Sequence, residues 1–500
     1  MRLDVLIAGG GTGGVAAALA LARSGLTVWL TEETDWLGGQ LSAQCVPPDE
    51  HPWIEETGRT ASYARYRDIV RQESIVRNRL SPTEPWFNPG GGWVSRLCHE
   101  PLIGRAVIER MLEGAGVHIL HQTVVAGILV NGDRVAAATL RDLRTGNETE
   151  VEPEYVLDAT ELGDLLPLSG AEYRLGAESR SETGEPSAPE ADDPLDVQGF
   201  TWCACVGFDP TGNHTIERPR EYDRWKGFAP DHWTGPLLSL TYRNPMTGEA
   251  KTLPVFSDEG LSWFGYRQIV GPTHGGPPRE HVTVLNWPQN DFFVGKIVDE
   301  PEAKVAERLA SARQLTLSLV YWLQTEQGLP GIRLRPDVSG TEDGLAAYPY
   351  HREGRRMEAV FQVREQDVAS HCHQGATLAP EREDSVGVGA YRLDLHPGAN
   401  GSAGLDLSSL PFQIPVGMLV HRRLRNLLAA GKCCGTTHIT NGCYRLHPIE
   451  WNIGEAAGAL ALYCLLHDTE PHAVCEQPGG LQAMLRGMGV QLRWPRFAPL

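Results

Sequence analysis

The first forty residues constrain this chain more than any other stretch. Val5-Leu6-Ile7-Ala8 is an apolar run long enough for one buried parallel strand. Gly9-Gly10-Gly11-Thr12-Gly13-Gly14 follows, with Gly9, Gly11 and Gly14 in the spacing Gly-x-Gly-x-x-Gly. Val15 to Arg23 is rich in Ala and Leu and predicts a short helix closed by Gly25. Leu26 to Leu30 is a second apolar run, ending at Glu32. Strand, glycine turn, helix, strand and carboxylate in that order predict a dinucleotide site. The first glycine permits the turn, the second lets the backbone approach a pyrophosphate, and the third lets helix and strand pack closely. The helix N-terminus offers free N–H groups to the phosphates. Glu32 suits the adenosine ribose hydroxyls and repels a 2′-phosphate.

A second glycine pair, in Trp36-Leu37-Gly38-Gly39-Gln40, lies soon after the second strand. NAD does not need it. FAD does, because its pyrophosphate runs on towards the flavin and needs small residues beside it. Late in the chain, Leu424 to Ala430 predicts a buried strand ending at Gly431, where a ribityl chain can pass. Arg445, His447 and Pro448 then precede a helix over Ile449 to Leu466, with Gly454, Ala456, Ala457 and Gly458 in its first turns. A helix N-terminus near Asn452 and Ile453 would stabilise the negative charge of a reduced flavin, and Arg445 would add to it. A salt bridge elsewhere on the surface is the other reading of Arg445.

Between these ends the chain predicts helices over Tyr63 to Arg77, Leu102 to Gly114 and Glu302 to Gln327. Strands are expected over Val117 to Leu120, Gln122 to Val130, Arg134 to Arg141 and from Tyr155 into Asp158-Ala159-Thr160-Glu161. Glu178 to Val197 is acidic and rich in Pro and Ser, so it is either a linker or a specific turn at Thr183-Gly184-Glu185-Pro186. Residues 200 to 300 show the aromatic alternation of a substrate-facing sheet.

Five hundred residues exceed one ordinary core. The expected fold is α/β: a Rossmann-type FAD-binding domain with a parallel central sheet, plus an inserted α+β substrate domain whose sheet is largely antiparallel. The expected division is 1–165 and 341–500 for the FAD-binding domain, with 166–340 as the substrate domain. A net charge of −19 disfavours nucleic acid and anionic membrane as partners. The longest apolar run, Ala456 to Leu466, is too short to span a bilayer. With no signal peptide and ten cysteines lacking Cys-x-x-Cys spacing, a cytoplasmic protein with reduced, mostly buried thiols is expected. A homodimer is left open.

These motifs resemble the FAD-dependent oxidoreductases of the glutathione-reductase-like superfamily, in the bacterial group with one N-terminal Rossmann motif and a C-terminal FAD motif. The matching pieces are Gly9 to Gly14, Glu32, Leu37 to Gln40, Asp158 to Asp164, Arg352 to Arg356, Pro411 to Pro415, Asn426 to Lys432, and Arg445 to Pro448 with Gly454 to Gly458. Gly354 departs from the Ser usual there. The resemblance implies FAD and redox chemistry and leaves the substrate open. The candidate cofactor residues are Gly9, Gly11, Thr12, Gly13, Gly14, Glu32, Glu33, Gly38, Gly39, Gln40, Val124, Ala159, Thr160, Gly431, Lys432, Asn452 and Ile453.

The expected reaction is hydride transfer from a small organic substrate to flavin N5, by dehydrogenation at C–OH, C–N or C–C. Oxygen or another acceptor then reoxidises the flavin. Proton removal from the heteroatom suits histidine, and His447 and His396 are the candidates, with Arg445 as a charged neighbour. Helix capping or a hydrogen bond to the flavin for His447, and a loop role for His396, are the alternatives. The single dinucleotide motif and the missing Cys-x-x-x-x-Cys argue against a disulfide reductase with its own NAD(P)H domain. The alternative function is a flavin-fold protein without redox turnover, thiazole-synthase-like or active in tRNA modification. A flavin monooxygenase would usually show a mid-chain Asp-Gly motif, and no convincing one is present. No metal is expected, since His371-Cys372-His373 and His438 lack a second cluster with ligand spacing. The Arg352 to Arg356 cluster reads as an ion network in preference to an anion site.

Overall fold

The computed structural model describes residues 1–244, 247–257 and 260–495. The opening motif forms β1 (Arg2–Ala8), α1 (Thr12–Leu21) and β2 (Val28–Glu32). Next come α2 (Ala61–Asn78), α3 (Pro101–Leu112), β3 (Val117–His121), β4 (Thr123–Asn131), β5 (Arg134–Asp142) and β6 (Glu148–Asp158). Helix α1 starts three residues earlier than its sequence predicts. Gly13 and Gly14 lie inside its first turn with ordinary helical backbone, so packing, not turn geometry, keeps them glycine. A Cβ on Gly14 would overlap the Gly9 carbonyl, and one on Gly13 the Ala430 carbonyl.

The middle of the chain builds a second unit around β7 (Ala204–Phe208), β8 (Gln268–Val270), β9 (Val282–Leu285), α4 (Glu302–Thr325) and β10 (Ile332–Leu334). Its four strands run in the order β8-β9-β7-β10, every pairing antiparallel. Trp225, Trp263, Trp287 and Trp322 pack with one face of α4 into a separate aromatic core.

The last part supplies β11 (Ser385–Gly389), β12 (Leu393–Leu395), β13 (Leu405–Leu407), β14 (Phe412–Pro415), β15 (Leu427–Ala429), α5 (His438–Tyr444) and α6 (His447–His467). Strand β15 returns to the first unit and lies parallel to β6, which is parallel to β1 on its other side. The central sheet therefore reads β3-β2-β1-β6-β15 in parallel. β6 extends backwards into the antiparallel meander with β5 and β4. This is the α/β class expected, a mainly parallel central sheet with additional antiparallel sheets.

Helices α1 and α6 are apolar nearly all round, as helices buried on every side must be. They cross where Gly454 and Gly458 face Gly13 and Ala17: a Cβ on Gly454 would overlap the Gly13 carbonyl, and one on Gly458 would come within 2.6 Å of the Ala17 carbonyl. The small residues of α6 thus admit a helix. This corrects the placement of its N-terminus at Asn452 and Ile453. The helix begins at His447 with Pro448 in its first turn, and Ile453 is fully buried in the main core. Asn452 binds β11, accepting from the Val388 N–H at 3.2 Å.

Of the two readings of Glu178 to Val197, the specific turn holds. A short helix, Arg180–Thr183, ends at Gly184 in the left-handed region (φ +70°). Two of the segment's acidic residues, Glu178 and Glu185, are buried. Glu185 accepts from Thr437 Oγ1 (2.6 Å) and the Glu365 N–H (2.7 Å), and Glu178 pairs with Arg356 (2.8 Å). All ten cysteines are free thiols, eight of them buried. Among the described residues, no helix is long and apolar enough to cross a membrane.

Candidate functional site

Two cavities lie on neighbouring stretches of chain, one touching Gln44 and Tyr348 and the other Val46 and Tyr350. The first, about 180 Å³, lies over the carboxyl ends of β1, β2 and β6, where open α/β sheets hold their ligands. Gly9, Gly11, Glu32, Glu33, Gly39, Val124, Ala159 and Thr160 line it, all from the predicted set. Gly9 turns the chain at φ +96° directly against the Ala159 carbonyl, too close for any side chain. The second glycine loop is tied to the first: the Gly38 N–H donates to the Gly10 carbonyl (2.8 Å), and Thr12 Oγ1 donates to the Gly38 carbonyl (3.1 Å). Asp158 braces the far wall by accepting from Thr160 Oγ1 at 2.6 Å.

Glu32 accepts from the Gly10 N–H (3.0 Å) and from Thr34 through its N–H (2.8 Å) and Oγ1 (2.6 Å). Burial pushes its carboxyl up to about 7 against those hydrogen bonds. Burial raises Glu33 to about 7 as well, opposed by the Tyr348 hydroxyl. Glu161, which sequence reasoning passed over as a ligand, brings its carboxylate between Gly11 and Gly39 and pairs with the buried Lys432. Lys432 also donates to the His351 carbonyl at 2.8 Å.

The cleft fits a dinucleotide on two observations. Gly11 and Gly39 leave a narrow cradle beside the Glu161 carboxylate that a Cβ on either would close, the Gly39 one reaching within 3.0 Å of Gly11 Cα. Gln44 lines the groove fully buried, with both ends of its amide unpartnered by protein. A buried amide in that condition calls for a polar partner, which a ligand or an ordered water supplies.

Residues 39 to 49 run from this cleft to the second cavity. On the way Gln40 donates to Glu450 and to the Arg445 carbonyl (2.9 Å), and the Asp49 N–H donates to His447 Nδ1 (3.0 Å). His447 lines neither cavity and is fully buried, and burial holds its imidazole down to about 3. In this environment its observed contact is as an acceptor bracing the Asp49 backbone.

The second cavity, about 410 Å³, is lined by Asp49, Arg267, Trp287, Tyr350, Arg352, Tyr391, Asp394, His396 and Arg445, among others. His396 Nδ1 lies 2.5 Å from Oδ2 of Asp291, and its Nε2 lies 3.6 Å from Asp394. Asp291 is itself buried and held by Thr201 and by Arg352 at 3.0 Å. Burial alone would raise its carboxyl, but Arg352 and His396 outweigh that and hold it below the usual range. With Nδ1 held by Asp291, Nε2 is the ring nitrogen turned towards Asp394. Arg445 is buried, not a surface residue, and donates to the Tyr350 hydroxyl (2.6 Å) and to Asp394 Oδ2 (3.2 Å). The arginine cluster serves two purposes. Arg352 lines the cavity, while Arg356 belongs to a buried network with Glu353, Glu178 and, through Glu353, His438.

Asp394 was within reach of sequence reasoning, because Leu393-Asp394-Leu395-His396 alternates and puts Asp394 and His396 on one face. Asp49, Arg267 and Asp291 carry no such signal; they arrive from remote segments.

A family model described as FAD dependent oxidoreductase matches residues 4–485. Among curated proteins, a thiamine thiazole synthase from Aeropyrum pernix is 25% identical over 169 residues, 32% of this chain and 55% of that protein. The chain thus spans about half the length of that relative. Among solved structures, L-proline dehydrogenase from P. horikoshii shares 19% identity over 37% of this chain and 25% of its own, with a TM-score of 0.19. A p-nitrophenol 4-monooxygenase from Pseudomonas putida DLL-E4 aligns over 98% of this chain and 87% of its own at 11% identity, with a TM-score of 0.37.

Proposed function

The chain belongs to the FAD dependent oxidoreductase family, and from that premise we propose that it dehydrogenates a C–OH group of a small polar substrate bound in the 410 Å³ cavity. The observation that carries this reading is the His396–Asp291 pair in the wall of that cavity. Amine and thiol substrates lose their protons readily, but an alcohol needs a positioned base as its carbon gives up hydride.

Residues of the first cavity would hold FAD: Glu32 the adenosine ribose, the Gly9–Gly14 and Gly38–Gln40 backbones the pyrophosphate, and Gln44 the flavin end. Bound FAD supplies a two-electron acceptor for the hydride. The rest falls to the chain's own side chains. His396 Nε2 takes the hydroxyl proton, and Asp291 fixes the tautomer and offsets the imidazolium charge that follows. Arg352 keeps Asp291 ionised. Arg445 and Tyr350 fix the edge of the cavity nearest the cofactor cleft, and the half-buried Asp49 and Asp394 orient substrate hydroxyls.

The test is anaerobic mixing of the yellow holoprotein with alcohols, amines and amino acids, followed by flavin absorbance near about 450 nm. Bleaching by an alcohol, slowed at least a hundredfold by His396→Gln with flavin content unchanged, is the expected result. Bleaching by amines or amino acids alone, or equal rates in the variant, would overturn it.

A further inference from the structure

Dehydrogenation of an alcohol leaves the class of alcohol open. We infer, resting on that reading, that the ligand of the 410 Å³ cavity is an anion, a hydroxy acid whose single carboxylate binds Arg267.

The first ground is an uncommitted cation. Of the arginines lining the cavity, Arg352 is paired with Asp291 at 3.0 Å and Arg445 with Asp394 at 3.2 Å. Arg267 is half-buried and has no carboxylate within ion-pair distance among the described residues. Its Nη1 donates to the Asn286 carbonyl at 2.6 Å, its Nε is buried without a partner, and Nη2 has no partner among the described residues. The guanidinium lies over the rings of Tyr266 (4.7 Å) and Trp287 (5.7 Å), which hold it in place without neutralising it. A guanidinium desolvated without a counter-ion is costly, and a ligand carboxylate removes that cost through a charge-assisted hydrogen bond.

The second ground is the charge count. Asp49 lines the cavity too, likewise outside ion-pair distance of any arginine, so Arg267 alone does not decide the sign. Asp406 is closed by Arg392 at 2.5 Å, whereas the exposed Arg243 at the rim donates to the Gly248 carbonyl. Among the described residues, five guanidinium groups thus line the cavity or pair with a group that does, against four carboxylates. One ligand carboxylate closes that balance. A neutral polyol or a zwitterionic amino acid leaves the excess standing, and a phosphate monoester, with a charge of about −1.5 to −2 at pH 7, overshoots it.

The third ground is a fixed link to the base. The Asn286 carbonyl accepts from Arg267, and its Oδ1 accepts from Arg352 Nη2 at 3.2 Å. Arg352 in turn pairs with Asp291, the carboxylate on His396 Nδ1. An anion on Arg267 is thereby held at a set place relative to the imidazole, as positioning a hydroxyl of the same small molecule requires. Asp49 is left to accept from further ligand hydroxyls. The volume is near the lower end of the ~300–1,000 Å³ usual for small-molecule sites, a size for a small hydroxy acid.

In the reaction, the hydroxy acid becomes an oxo acid. The carbinol C–H bond breaks with its electron pair, which leaves as hydride to FAD, and the O–H proton goes to His396. Two electrons and two hydrogens are thereby accounted for, and the carboxylate stays intact on Arg267.

The experiment titrates matched ligands into the oxidised holoprotein by calorimetry: lactate against propylene glycol, glycerate against glycerol and glycerol phosphate, and gluconate against sorbitol and glucamine. At least one carboxylate should bind about tenfold or more tighter than its counterparts, the scale of one charge-assisted hydrogen bond. Arg267→Gln should remove most of that preference with flavin content unchanged, and Arg267→Lys, which keeps the charge, should restore part of it. Equal or tighter binding of the neutral, ammonium or phosphate compounds to the unmodified protein overturns the inference. So does equal weakening of neutral and anionic ligands in Arg267→Gln, or no binding of any hydroxy acid. The two readings fail separately. Hydroxy acids that bind through Arg267 without bleaching the flavin break the dehydrogenation reading alone. A neutral alcohol that bleaches it in a His396-dependent way, with no hydroxy acid bound, breaks the inference alone.

Discussion

The cofactor cleft and the substrate cavity adjoin each other but are built in different ways. The cleft is made of backbone: two glycine loops tied by the Gly38–Gly10 hydrogen bond, three strand ends and one helix N-terminus, most of it from Ala8 to Gln44 and from Asp158 to Asp164. The cavity is made of side chains from remote segments, with Asp49, Arg267, Asp291, Arg352, His396 and Arg445 spread over 400 residues of sequence. Backbone recognises what every FAD has in common, and its geometry tolerates little change. Side chains recognise one substrate, and a few substitutions change it. Perturbing the two regions should therefore give separable losses.

The largest effect is expected on the cavity side. His396→Ala should lower kcat by about 10²–10⁴, the usual contribution of a general base, without loss of FAD. Loss of FAD together with activity would show that the two regions are not separable.

On the cleft side, Glu32→Ala removes charge-assisted hydrogen bonds to the ribose, worth about 1.5–3 kcal/mol, so FAD affinity should fall roughly ten- to a hundredfold. Fluorescence titration of the apoprotein measures this, and unchanged affinity would remove Glu32 from the ribose role. The stability of the scaffold beneath both regions is probed by Gly454→Ala. The added methyl meets the Gly13 carbonyl where α1 and α6 cross, and overpacking of this kind costs about 1–3 kcal/mol. A lowered unfolding temperature with a normal His396-dependent rate per bound flavin is expected.

The smallest effect is in pH. Burial raises the Glu32 carboxyl to about 7, so without FAD it is largely protonated at pH 6. Ribose hydroxyls donate to the ionised form and lower its pKa, so binding below pH 7 releases a proton. FAD affinity should thus rise with pH up to about 7 and level off above it, by no more than tenfold per unit from this group. Glu33, Asp158 and Glu450 are raised to about 7 as well. The diagnostic quantity is therefore the part of the slope that Glu32→Gln abolishes.

Much of the fold was legible from local signals. The first strand, helix and second strand, the long helix over Glu302–Thr325 and the last helix are all where apolar periodicity puts them, within a few residues. The errors have physical causes. The small residues of α6 signal close approach, but composition does not say of what; the neighbour is α1. Helix α6 begins at His447, ahead of Asn452, because a buried helix has no polar stripe to mark its start. The acidic Glu178 to Val197 segment has the composition of a linker, yet Glu185 finds donors more than 150 residues away.

The sequence by itself determined the strand–glycine turn–helix of a dinucleotide motif, the parallel sheet that carries it, and the return of the C-terminal segment to that sheet. These follow from spacings of a few residues, where backbone sterics and strand periodicity act. Only the tertiary structure separates the surroundings of His396 from those of His447. Their sequence contexts are equally suggestive, but one imidazole lines a cavity with a buried carboxylate on its Nδ1, while the other is desolvated against the Asp49 backbone. Basicity depends on neighbours in space, and Asp291 stands more than a hundred residues from the histidine it orients.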